Sequence, residues 1–315
     1  MLEKEGIVLK STGSWYQVLD DQNNIVECRL KGKIRLKGIK STNPVAVGDR
    51  VVYETENYTI KTIQDRKNYL VRRSNNLSKY SHVIAANIDL ALRIISFKNP
   101  RTSRGFIDRF LLTCEAYSIP AVLVLNKKDE LSSEEHLQVD ELLSIYKNIG
   151  YQGIKISALS PNFIEEFTPI IQDKTCLVAG HSGVGKSTLI NQLIPDLNLK
   201  IGDVSEINFK GKHTTTFAEM HLVSPNTYLI DSPGIKDFGL VHMEKEEESH
   251  YFREMQPFLA ACKFSNCMHI NEPKCAVLDA LISDEIDPVR YQNYVSIIEG
   301  DDEINNPDYL WRKTL

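Results

Sequence analysis

The chain has 315 residues, of which 42% are hydrophobic and 25% charged, and carries a net charge of −5. That length leaves room for two or three domains at roughly 100–200 residues each. No apolar run approaches the ~18–20 residues of a membrane span, and the opening Met1-Leu2-Glu3-Lys4-Glu5-Gly6 lacks the apolar stretch of a signal peptide. Secreted and membrane-spanning classes are therefore set aside, and a cytoplasmic protein is expected.

The charge is unevenly spread. Residues 1–73 hold 14 Lys+Arg against 9 Asp+Glu, and the remainder 23 against 33. A basic front end on an acidic body fits a polyanionic partner or a solvated strand face, and composition does not separate the two. Within the front end, Gly6–Leu9, Trp15–Leu19, Asn24–Cys28 and Arg50–Glu54 read as short strands separated by turn residues. Strands at this spacing predict a small barrel, with the OB-fold as one candidate. From Arg29 to Lys37 the odd positions are Arg29, Lys31, Lys33, Arg35 and Lys37, and the even ones are Leu30, Gly32, Ile34 and Leu36. Alternation along a strand puts the cations on one face and leaves the other for a core. Contact with nucleic acid is the preferred reading.

The middle of the chain alternates buried strands with helices, the pattern of a parallel α/β sheet. Strands are predicted at 89–95, 121–125 and 176–179, and amphipathic helices at 105–118 and 134–148. Asn126-Lys127-Lys128-Asp129 follows the second of these strands. An Asp there accepts two hydrogen bonds from guanine N1–H and N2–H2. Adenine offers no such pair and leaves the acid unmatched. Lys127 can pack its stem on the base. Ser157-Ala158-Leu159 can offer a backbone N–H to guanine O6.

Gly180-His181-Ser182-Gly183-Val184-Gly185-Lys186-Ser187 matches G-x4-G-K-[ST] and runs on through Thr188 into a helical stretch. Glycines let backbone N–H groups turn towards a phosphate, and the helix N-terminus adds favourable potential. Lys186 would reach the β- and γ-phosphates, and the Ser187 hydroxyl would ligate Mg²⁺. Gly211-Lys212-His213-Thr214-Thr215-Thr216 follows, with Thr215, or else Thr214, as a second Mg²⁺ ligand present only with the γ-phosphate. Asp231-Ser232-Pro233-Gly234 lies 44 residues after Ser187. There Asp231 would hold Mg²⁺ through water, and Gly234 would offer its N–H to the γ-phosphate.

Three of the six cysteines, Cys28, Cys114 and Cys176, are scattered. The others form Cys262-x4-Cys267-x-His269-x5-Cys275. Three thiolates and an imidazole suit one tetrahedral Zn²⁺ per chain. With no position left for water, that site is structural. Tyr291 and Tyr294, in the helical stretch beyond, are read as packing residues.

The order of motifs is unusual: guanine recognition precedes the phosphate loop. With the basic barrel in front and the zinc pattern behind, the chain resembles the circularly permuted GTPases that depend on the small ribosomal subunit, the RsgA/YjeQ type. The resemblance covers nearly the whole chain. It implies a multidomain α/β protein: an OB-like barrel over 1–72, a permuted P-loop GTPase domain over 73–245 and a zinc-binding helical domain over 246–315. It also implies binding to the small (30S) subunit and its 16S rRNA in late maturation, subunit-stimulated hydrolysis of GTP to GDP, and release afterwards. A monomer without DNA or membrane partners is expected. Where many GTPases carry a catalytic Gln, this chain has Ile235, which cannot orient water. His213 is the candidate, by its chemistry and by its place in the family's G-x-H-T-T-T segment. Gly183 stands where some GTPases use Asn to hold potassium, so no potassium role is expected. Two other functions compete: a zinc and OB-fold RNA-binding protein that uses GTP as a passive sensor, and a GTPase acting on tRNA or the large subunit.

Overall fold

A computed structural model describes residues 2–30, 44–73, 81–199, 218–231 and 244–300. The basic run beyond Leu30, His213, Thr214, Thr215 and Gly234 lie outside the described residues. The chain opens with β1 (Glu3–Ser11), β2 (Tyr16–Asp20), β3 (Ile25–Leu30), β4 (Arg50–Glu54) and β5 (Thr59–Ile63), then a hairpin of β6 (Tyr69–Arg73) and β7 (Ser81–Ala86). The α/β segment follows: β8 (Leu90–Ile95), α1 (Arg104–Ala116), β9 (Ala121–Leu125), α2 (Ser133–Asn148), β10 (Gln152–Lys155), α3 (Phe163–Ile171), β11 (Thr175–Ala179), α4 (Lys186–Leu193), β12 (Glu219–Ser224) and β13 (Thr227–Asp231). The last part holds a 3-10 helix over Lys245–Tyr251, α5 (Gln256–Leu259), α6 (Ala276–Ile282) and α7 (Pro288–Glu299). None of the described helices is long and apolar enough to cross a membrane.

The chain divides into two compact units. The first comprises residues 1–92, 161–182 and 186–241. Its strands run in the order β11-β13-β12-β1-β2-β3-β5-β4, and β1 also pairs with β4, which closes a five-stranded OB-like barrel. Inward residues Val8, Tyr16, Val18, Cys28, Val51, Tyr53 and Ile60 fill that barrel. On β2 and β4 the inward residues, Tyr16 and Val18, Val51 and Tyr53, fall at every second position, as a strand's period of two requires. β1 also carries the sheet onward: Lys10 stands opposite Glu219 on β12, and their side chains pair at 3.0 Å. β11 and β13 run parallel in register, with Val178 beside Asp231.

The second unit comprises residues 93–160, 183–185 and 242–315. Here the strand order is β10-β9-β8, with β9 and β10 parallel. β8 is buried at every position, Arg93 included, and β9 at all but its first, so neither strand alternates between buried and exposed positions. Local signals set the helix starts. Ser132 and Glu135 form a reciprocal capping box at α2. Asp287 caps α7 by accepting from Arg290 N at 2.9 Å, with Pro288 at the first helical position.

The C-terminal helices join this unit through a buried polar cluster. Arg290 on α7 donates to Asp108 of α1 at 2.5 Å and grips both oxygens of Glu254. The same Asp108 accepts from Tyr146 of α2 at 2.7 Å and from Asn293. Burial works against the charged guanidinium, but Asp108 and Glu254 outweigh it, and its pKa lies well above the usual arginine range. Such a cluster holds only while each member is paired. Asp108→Ala is expected to strip one carboxylate from Arg290 and to lower the unfolding free energy by about 3–5 kcal/mol. Urea denaturation measures it; a loss under about 1 kcal/mol would reduce the cluster to the worth of a surface ion pair.

Candidate functional site

Asn126 leaves the end of β9 with its backbone N–H bonded to Ile95 O at 2.9 Å. The residue is 3% exposed, and both ends of its side-chain amide are engaged. Nδ2 donates to Val184 O at 2.9 Å, and Oδ1 accepts from Ala158 N at 3.0 Å. One amide therefore ties the centre of the phosphate loop to the Ser157-Ala158 turn. Val184 and Ala158 are 58 and 32 residues from it in sequence. The approach is close enough to dictate Gly185: a Cβ there would lie 2.2 Å from Asn126 Nδ2, and its φ is +95°.

The remaining base-motif residues follow from this anchor. Lys127 takes a left-handed conformation at φ 66° and sends its ammonium to Asn99 O at 2.5 Å. Lys128 N donates to Ile156 O at 3.0 Å. Asp129, in the short 3-10 turn that follows, presents an exposed carboxylate. Ser157 and Ala158 are buried, and Leu159 is 72% exposed.

In the first unit, Gly180, His181 and Ser182 leave β11, and α4 begins at Lys186. Lys186 Nζ lies over the loop backbone, donating to Gly180 O at 2.5 Å and His181 O at 3.0 Å. Ser187 and Thr188 occupy the first turn of α4, half-buried, while Leu189 and Ile190 fix the helix in the core. The β11–β13 register sets Asp231 beside Val178, at the strand end from which the phosphate loop departs. Within this unit the end of β11, the N-terminus of α4 and an acid on the neighbouring strand can together hold phosphate oxygens and a hard cation.

Cys262, Cys267, His269 and Cys275 converge, with all ligand atoms within 4.8 Å of one another. His269 Nδ1 lies 3.6 Å from Cys262 Sγ and 3.3 Å from Cys275 Sγ, and the two sulfurs are 3.9 Å apart. A tetrahedral ion with Zn–S near ~2.3 Å spaces its sulfurs by about 3.8 Å, so the donor set fits such an ion. Burial pushes the Cys275 thiol up to about 12, so thiolate there needs a cation to stabilise it. Glu272 accepts from the backbone N–H groups of Met268, Ile270 and Asn271, at 2.8–3.1 Å, and shapes the turn. Tyr291 and Tyr294 are packing residues with a purpose: their hydroxyls donate to His269 O at 2.7 Å and Met268 O at 2.8 Å. The scattered cysteines Cys28, Cys114 and Cys176 are free and buried.

The site also uses residues that the motifs do not name. Asn99, Glu272 and the two tyrosine hydroxyls carry no spacing signature. The only sequence hint for Asn99 is an Asn-Pro pair just after a buried strand.

Known proteins match the chain over nearly its whole length. Two family models match, the RsgA GTPase over residues 63–241 and the RsgA N-terminal domain over residues 5–63. A protein of Flavobacterium psychrophilum named small ribosomal subunit biogenesis GTPase RsgA is 50% identical over 312 residues, covering 96% of this chain and 95% of its own. One of the same name from Bacteroides fragilis is 48% identical over 302 residues, covering 95% and 97%. Among solved structures, YjeQ from Thermotoga maritima aligns with a TM-score of 0.77 at 33% identity, covering 95% of this chain and 98% of its own. YloQ, described as a circularly permuted GTPase, aligns with a TM-score of 0.73 at 29% identity, covering 95% of each chain.

The thiolate–imidazole cluster generates a direct test. Cys275→Ala is expected to reduce bound metal, measured by atomic emission, from about one ion per chain to near zero and to lower the thermal midpoint. Equal metal content in the variant would show that these four side chains are not the ligands.

Proposed function

The chain belongs to the RsgA GTPase family, and from that premise we propose that it hydrolyses GTP to GDP on the small ribosomal subunit during the subunit's late maturation. The observation that carries this reading is the Asn126 amide, which fixes the centre of the phosphate loop against the guanine motif. The exposed Asp129 carboxylate takes guanine N1–H and N2–H2, and Lys127 lies along the base. The Ser157–Leu159 turn supplies backbone N–H groups to O6, of which that of Ala158 is shared with Asn126. Lys186 exchanges its loop carbonyls for the β- and γ-phosphate oxygens. Ser187 and Thr215, with Asp231 through water, hold Mg²⁺, and Gly234 contacts the γ-phosphate. His213 orients the attacking water, a role that Ile235 cannot fill. Zn²⁺ at Cys262, Cys267, His269 and Cys275 is structural, one per chain.

The partner is the 30S particle with its 16S rRNA, met by the basic barrel. The protein works as a cytoplasmic monomer, with neither DNA nor membrane as partner. Hydrolysis releases it from the particle. GTP turnover measured alone and with purified small subunits, large subunits and tRNA tests the reading. Selective stimulation by small subunits is expected. His213→Ala is expected to cut the stimulated kcat by about 10²–10⁴-fold while sparing GTP affinity. Stimulation by large subunits or tRNA instead would assign another RNA partner. Absence of stimulation by all three would make the pocket a passive sensor.

A further inference from the structure

Between β8 and α1 lies a turn, residues 96–103, that the nucleotide motifs do not include. It is closed on itself: Ser96 Oγ donates to Pro100 O at 2.5 Å, Thr102 N to Ser96 O at 2.9 Å, and Ser96 N to Thr102 Oγ1 at 3.1 Å. Its tip meets both halves of the nucleotide machinery. Asn99 O holds the Lys127 ammonium at 2.5 Å. Pro100 packs so closely on the phosphate loop that a Cβ at Gly183 would fall 2.9 Å from Pro100 Cδ. The helix side of the turn is anchored elsewhere. Ser103 caps α1 by accepting from Phe106 N at 3.2 Å, and Arg104, the first residue of α1, reaches Asp287 at 2.5 Å. Asp287 is the capping residue of α7, the helix whose Tyr291 and Tyr294 hold the metal-knuckle backbone. The guanidinium and carboxylate of that pair are 13% and 25% exposed, so solvent screens them only in part.

The geometry points to Arg104 and Asp287 as a positioning pair for guanine nucleotide: through the 96–103 turn, the C-terminal module sets where Lys127 and Gly183 stand. This rests on the GTPase reading above and names a regulatory input to the same site. Neither residue touches nucleotide. With the pair broken, the turn loses its hold on α7, Asn99 O drifts from Lys127, and Pro100 no longer bounds the phosphate loop. Affinity falls first, because the turn contacts binding residues and none of those assigned to the attacking water.

The test uses the full-length chain with Mg²⁺ and a fluorescent methylanthraniloyl-GDP, comparing Arg104→Gln, Asp287→Asn and the double variant. Asn also caps helices well, so Asp287→Asn removes the charge and retains the cap. Each single variant is expected to weaken GDP binding by about three- to thirtyfold. The double variant is expected to be no weaker than the weaker single, because both break one interaction. KM for GTP should rise with kcat at saturation within about twofold, and Arg104→Lys should recover part of the affinity. Unaltered GDP affinity with a lowered thermal midpoint would make the pair merely structural and overturn the inference, as would additive losses in the double variant. The unmodified chain is the control: if it binds no guanine nucleotide, the function reading itself falls. If it binds and the variants bind equally, only this inference does.

Discussion

A single buried amide holds the second unit's functional loops together. The Asn126 side chain gives its N–H to the phosphate loop at Val184 and takes an N–H from Ala158, so three separate stretches of chain share one side chain. Each bond contributes only about 0.5–1.5 kcal/mol net. Removing the amide, however, leaves a buried N–H and a buried carbonyl unmatched, at about 1–3 kcal/mol each. That asymmetry makes the arrangement nearly all-or-none. The close approach also explains a local choice: Gly185 has room for no side chain beside the Asn126 amide.

The permuted order of motifs fits this view. A pocket built by side chains that bridge distant segments does not depend on which segment comes first in the chain. The barrel is continuous with the phosphate-loop half of the sheet through β1 and β12, within the first unit. The C-terminal helices belong with the Asn126–Asp129 segment, through Arg290, Asp108 and Glu254 in the second. Each appended module is thus rooted in a different part of the GTPase segment.

Much of this was legible in the residues. The strands at 90–95, 121–125 and 175–179 announced themselves as apolar runs, and the structure moves their predicted ends by a residue at most. α1 and α2 begin one residue earlier than their apolar periodicity placed them, because Ser103 and Ser132 act as caps. The convergence of Cys262, Cys267, His269 and Cys275 was visible because their spacing is a chemical signature. The role of Asn126 was not: the motif names it beside Lys127 and Asp129, but nothing local says that its amide reaches Val184. Nor could the Arg290 cluster be read: Asn293 lies one turn further along α7, but Asp108, Tyr146 and Glu254 share no period or spacing with it. The strand Thr59–Ile63 and the Tyr69–Ala86 hairpin were blurred by interspersed Lys, Asp and Asn. The basic alternation from Lys31 to Lys37 and the His213 segment lie outside the described residues.

The central claim is tested most directly by amide hydrogen exchange on the Asn126→Ala variant. If one side chain secures both loops, exchange at Ala158 and across Gly183–Gly185 must accelerate together, while the Tyr53 and Ile60 amides in the barrel keep their protection. Unchanged protection at Ala158, or acceleration of one loop without the other, would contradict the account.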